Sequence, residues 1–135
     1  MPLQLFVNLP VDDLDASREF FARLGYAHNP QFTDQNATCI VFSDTIYAML
    51  LVKPFFATFT DKPIADTRTQ AAAILALALD SRAQVDETID KALTAGAREP
   101  RPAQDLGFMY QRSFEDLDGH LWEVFHMDPS AVPSG

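Results

Sequence analysis

The feature that most restricts how this chain can fold is an order of signals that occurs twice. Leu3 to Val11 places apolar, β-compatible residues at 3, 5, 7, 9 and 11, the period of a strand with one buried face. Asp12 and Asp13 then offer a helix N-cap, Leu14, Ser17, Phe20, Phe21 and Leu24 recur at helical spacing, and Gly25 supplies the stop. The same order returns later. Ala72 to Leu79 reads as a strand, Asp80-Ser81 caps a helical pattern through Val85, Ile89, Ala92 and Leu93, and Gly96 ends it. The two glycines are 71 positions apart and the strand ends Val11 and Leu79 are 68 apart, so the second helix region is about three residues longer.

Each helix is followed by three short apolar runs, near 26–33, 37–43 and 46–53 in the first half and near 97–101, 107–114 and 120–127 in the second. Pro100 and Pro102 end the fourth of these, and Asp116-Leu117-Asp118-Gly119 turns between the last two. The chain therefore reads as a duplicated βαβββ unit of the α+β class. A chain of 135 residues has the length of about one domain. The expected organisation is a single domain over 1–128, with module one at 1–54, a linker at 55–70 containing a helical turn or two, and module two at 71–128. The Pro/Ser/Gly tail 129–135 is expected to fray.

Composition narrows the function. The longest apolar stretch, Ala71 to Leu79, is nine residues, whereas a spanning helix needs roughly 20. The N-terminus lacks the basic-then-apolar order of a leader peptide, so a cytoplasmic protein with no membrane partner is expected. A single cysteine, Cys39, makes no intrachain disulfide and no cysteine-based metal site. A net charge of −9 repels phosphate backbones and argues against nucleic acid. That acidity either keeps the protein soluble or favours a cationic ligand. Five scattered glycines make no phosphate-cradling loop, and nothing brings Ser113, His120 and an aspartate together as a triad.

The run Phe6-Val7-Asn8-Leu9-Pro10-Val11-Asp12-Asp13-Leu14, with Ser17, Phe20-Phe21 and Leu24-Gly25, resembles the opening of the vicinal oxygen chelate superfamily of glyoxalase I, bleomycin resistance proteins and extradiol dioxygenases. Glu115-Asp116-Leu117-Asp118-Gly119-His120-Leu121-Trp122-Glu123-Val124 resembles its second signature, with Leu117 where a proline is usual. Phe108 to Asp128 and Thr45 to Phe56 are similar to the bacterial group described as predicted lactoylglutathione lyases, or glyoxalase-related proteins. The resemblance implies two βαβββ modules whose eight strands make a cupped mixed sheet, with helices outside and a ligand cavity inside.

In the metal-dependent members the ligands come from strand one, strand four and the equivalent pair of the second module. The resemblance places these positions at Phe6, at Met49 or Leu51, at Ile74 and at Glu123. Only Glu123 keeps a ligand type, and one carboxylate is not a divalent site, so no metal and no other cofactor is expected. Glu123 is either a catalytic general base or a structural carboxylate paired with an arginine. A four-residue hairpin loop at 116–119 would set Arg112 opposite Glu123 and make it that partner. Strand alternation adds Asn8 beside Phe6, Tyr47 beside Met49 and Tyr110 near Arg112, which makes either a small-molecule pocket or an ordinary phenylalanine-rich core.

His28 is expected at an exposed turn, His120 facing solvent or a helix end, His126 on the face opposite Glu123, and Cys39 as a buried inert thiol. The resulting expectation is a glyoxalase-related protein that binds a small organic ligand, as a lyase or isomerase on a small carbonyl compound or thiol adduct. The alternative is a ligand-sequestering protein of the bleomycin-resistance kind. Exposed sheet edges in small modules point to a homodimer.

Overall fold

The structure is a computed structural model that describes residues 2–130. The main part of the expected frayed tail, residues 131–135, lies outside the described residues. Two compact units divide between Asp66 and Thr67.

The first unit runs β1 (Leu5–Val11), α1 (Leu14–Arg23), β2 (His28–Asn29), β3 (Ala37–Val41), β4 (Ile46–Val52) and the single turn α2 (Lys53–Phe56). Its sheet has the order β1-β4-β3-β2, with β1 parallel to β4 and the other pairs antiparallel. The expected cap forms, since Asp13 Oδ1 accepts from the Ala16 amide at 3.0 Å, and Gly25 ends the helix at φ 101°. Helix α1 packs on β3 and β4, with Phe20 and Phe21 of the helix and Ile40 and Leu50 of the strands in the core. All four side chains are buried, and each such burial contributes about 1.5–3 kcal/mol. The rings of Phe20 and Phe21 meet edge to face at 5.1 Å.

The second unit repeats this order as β5 (Ile74–Ala78), α3 (Arg82–Thr94), β6 (Gln104–Asp105), β7 (Met109–Glu115) and β8 (Leu121–Met127). Its sheet, β5-β8-β7-β6, pairs first and last strands in parallel as the first sheet does. Ser81 Oγ caps α3 by accepting from the Gln84 amide at 3.1 Å. Helix α3 has 13 residues against 10 in α1, which is the three-residue excess that the spacing implies. Val85, Ile89 and Ala92 from the helix bury against Phe114, Trp122 and Val124 from the sheet.

Two strands differ from the sequence expectation. The run 26–33 gives only two strand residues before Pro30 opens a 3₁₀ turn at Pro30–Phe32. The run 97–101 gives one bridge, Arg98 to Glu115, because Pro100 and Pro102 have no N–H to extend a ladder; pairing resumes at Gln104. The helical turn α2 begins at Lys53, before the expected linker, and a 3₁₀ turn follows at Ala57–Phe59. No described helix is long and apolar enough to cross a membrane.

Candidate functional site

Each sheet carries its helix on one face, so the functional candidates sort by the face they occupy. In the first unit the parallel register sets Phe6 beside Tyr47 and Asn8 beside Met49, on the face away from α1. Phe6 and Tyr47 stack with centroids 4.5 Å apart and planes 8° from parallel. The Tyr47 hydroxyl donates to the Asp44 carbonyl at 2.8 Å, and Asn8 Nδ2 donates to the Phe6 carbonyl at 3.2 Å. Phe6 and Asn8 remain exposed. Cys39 pairs with Met49 across β3 and β4 but is fully buried, and burial pushes its thiol pKa up.

In the second unit the corresponding face carries Ile74, Ala76, Ser113, Gln111 and Glu123. Glu123 stands between Ala76 on β5 and Ser113 on β7. By ladder position Glu123 is the counterpart of Met49, each lying opposite the middle of its unit's first strand. Among the described residues the Glu123 carboxylate has no hydrogen bond or ion pair. It lines a pocket with Arg101, Pro102, Gln104, Gln111, Arg112 and Ser113.

The expected Arg112–Glu123 pair does not form. The hairpin loop has five residues, 116–120, so Ser113 stands opposite Glu123 and Arg112 opposite Val124. A slip of one residue moves a whole strand's side chains to the other face. Asp116 sets the longer loop. Its Oδ1 accepts from the Asp118 and His120 amides, both at 3.0 Å, and its Oδ2 accepts from Trp122 Nε1 at 3.0 Å. Burial raises the Asp116 carboxyl above its ordinary range, against the lowering pull of His120 and of those donors. His120, expected to face solvent or a helix end, is buried by the same closure.

Arg112 and Tyr110 therefore face α3 rather than the Glu123 side. Arg112 meets Glu99 through Nε at 2.8 Å and Nη2 at 3.0 Å, and Asp86 through Nη1 at 2.9 Å. The Tyr110 hydroxyl donates to Asp86 at 2.6 Å, which raises the phenol's pKa and lowers the carboxyl's. This network joins α3 to the sheet. His126 is also on this side, with Nδ1 3.0 Å from the Leu79 carbonyl.

Of the expected site residues, the structure brings Phe6, Asn8, Tyr47 and Met49 together on one helix-free face, and Ile74 and Glu123 on the other. It turns Tyr110 and the Arg112 guanidinium toward Asp86 of α3, although Arg112 still lines the pocket beside Glu123. Arg101, Gln104, Gln111 and Ser113 were not legible as pocket residues, because Gln111 and Ser113 alternate with Arg112 and only the correct loop length reveals their face. The ancestral metal positions do not fit a metal, since Phe6 and Ile74 offer no donor and Met49 offers a thioether. Among the described residues no group of three or more His, Cys, Asp or Glu side chains could hold an ion.

The fold is that of the glyoxalase, bleomycin resistance and dioxygenase proteins, the vicinal oxygen chelate superfamily, which bears out the resemblance read from the sequence. A glyoxalase-related enzyme from Fulvimarina pelagi shares 20% identity over 100% of this chain and 94% of its own, with a TM-score of 0.79. A glyoxalase/bleomycin resistance protein/dioxygenase family enzyme from Burkholderia phytofirmans PsJN shares 15% over 90% and 96%, with a TM-score of 0.75. A bleomycin resistance determinant encoded on the transposon Tn5 shares 19% over 93% and 98%, with a TM-score of 0.64. More narrowly, residues 4–43 match the family described as bleomycin resistance protein-like N-terminal. No curated protein matches the chain significantly in sequence.

Proposed function

We propose that this protein binds a small organic molecule on the helix-free face of a sheet, without a metal. The observation that carries this reading is the contrast between faces. The helix sides are closed by packing and by the Arg112 network, whereas the other sides expose the Phe6–Tyr47 stack, Asn8 and Met49 in one unit and a partnerless Glu123 in the other. Aromatic walls with a few fixed polar groups are the usual make-up of a small-molecule site.

Two chemistries use these groups. As a lyase or isomerase on a small carbonyl compound or thiol adduct, Glu123 takes a proton from the carbon beside the carbonyl and returns it to the neighbouring carbon. As a sequestering protein, Glu123 holds a donor or a cation on the ligand and no bond changes. The match of residues 4–43 and the charge of −9 favour this second chemistry for a cationic ligand. An isomerisation assay with a glutathione hemithioacetal, run in EDTA and with added Ni²⁺ or Zn²⁺, separates them. Turnover in EDTA that Glu123→Gln abolishes supports the catalytic chemistry, while binding without turnover supports sequestration. Turnover only with added metal overturns the metal-free reading.

A further inference from the structure

The pocket beside Glu123 has a charge arrangement unlike the rest of its unit. Arg68, Arg82, Lys91, Arg98 and Arg112 each lie within ion-pair distance of a carboxylate of the same unit. Arg101 is the exception among the described residues: it has no ion pair and no hydrogen bond, and it is exposed. Glu123 is likewise without a partner. Both line one pocket, yet they do not join to each other, so the pocket presents a free cation and a free carboxylate held apart. In the same pocket Gln111 Nε2 donates to Gln104 Oε1 at 3.0 Å. That bond fixes the two amides and leaves Gln104 Nε2 and Gln111 Oε1 available, while the Ser113 hydroxyl has no partner among the described residues.

The pocket's volume is about 30 Å³, room for about two water-sized groups. That is too small for a whole drug-sized ligand and suits two adjacent charged groups. An anion alone would satisfy Arg101 and face the repulsion of Glu123. A cation alone would meet the reverse. A head group carrying both signs satisfies both ends at once, and the planar guanidinium suits a carboxylate.

We propose that this pocket binds the head group of a small zwitterion, with its carboxylate on Arg101 and its ammonium on Glu123. The proposal deepens the small-molecule reading above and rests on it. Gln104, Gln111 and Ser113 line the same pocket and accept or donate the remaining hydrogen bonds.

The test is a titration of the ¹⁵N-labelled full chain with glycine, sodium acetate, methylammonium chloride and phenol, each followed by amide shifts at constant ionic strength. Glycine should shift the amides of Gln104, Gln111, Ser113 and Glu123 saturably, at least tenfold more tightly than acetate or methylammonium. Arg101→Gln and Glu123→Gln should each weaken glycine at least tenfold with an otherwise unchanged spectrum. Acetate or methylammonium binding as tightly as glycine overturns the proposal. So does the absence of glycine shifts at these amides. Phenol distinguishes the two levels: shifts at Phe6, Tyr47 and Met49 without a glycine response overturn the zwitterion site and leave the small-molecule reading standing. Silence to every probe overturns both.

Discussion

Arg112 holds Glu99 with two nitrogens, Nε on Oε2 at 2.8 Å and Nη2 on Oε1 at 3.0 Å, on the side of β7 away from Glu123. The side chains are 15% and 22% exposed, between the buried and surface limits for ion pairs. A double-mutant cycle with Arg112→Met and Glu99→Gln in urea unfolding should give a coupling of about 1–3 kcal/mol, above the ~1 kcal/mol ceiling of surface pairs. A cycle of Arg112→Met with Glu123→Gln should be additive within about 0.5 kcal/mol. The opposite ranking would restore the four-residue loop.

Gly119 tests the loop that fixes this register. It has φ 86°, and a Cβ there would collide with the Thr67 carbonyl oxygen and lie 2.9 Å from Arg68 Cα, both main-chain atoms that cannot swing away. Gly119→Ala should cost at least about 2 kcal/mol in urea unfolding, from left-handed strain plus the clash. Gly25→Ala, with φ 101° and nothing within 4 Å of the added carbon, bears the strain alone and should cost about 1 kcal/mol. Equal costs would place the Gly119 loop away from Thr67.

These two positions also show how far the sequence was legible. Helix starts and stops were readable because Asp13, Ser81, Gly25 and Gly96 act through local backbone groups. The hairpin was readable as a turn but not in its length. The fifth loop residue depends on Asp116 reaching forward to Trp122, a side-chain bond that spacing does not announce. That single residue decided which of Arg112 and Ser113 shares a face with Glu123. The stack of Phe6 on Tyr47 lies at the other extreme, since the family resemblance sets Phe6 and Met49 on one face and alternation along β4 adds Tyr47 to it.

Acid stability should report Asp105. Hydrogen bonds from Arg82 and from the Gly107 amide hold its pKa near 2, against 3.8 ordinarily. Its folded pKa is the lower one, so its contribution is present above about pH 4 and is lost as pH falls toward 2. The urea midpoint of the wild type should fall more steeply between pH 4 and 2 than that of Asp105→Asn. Parallel slopes would mean that solvent screens the pair.

We expect the protein to be a homodimer. β1 and β5 are edge strands of their sheets, and Leu5 and Ile74 at their starts are 57% and 58% exposed. Light scattering should give twice the 15.0 kDa chain mass at micromolar concentration. A concentration-independent mass of one chain contradicts this.

The central claim is metal-independent small-molecule binding on a helix-free sheet face, and amide shift mapping in EDTA tests it most directly. Titration with a glutathione hemithioacetal should shift the amides of Phe6, Asn8, Tyr47 and Met49 in the first unit, or those of Ile74 and Glu123 in the second, and leave those of α1 and α3 unmoved. Shifts that appear only after Ni²⁺ or Zn²⁺ is added, or that concentrate on the helices, would contradict the account.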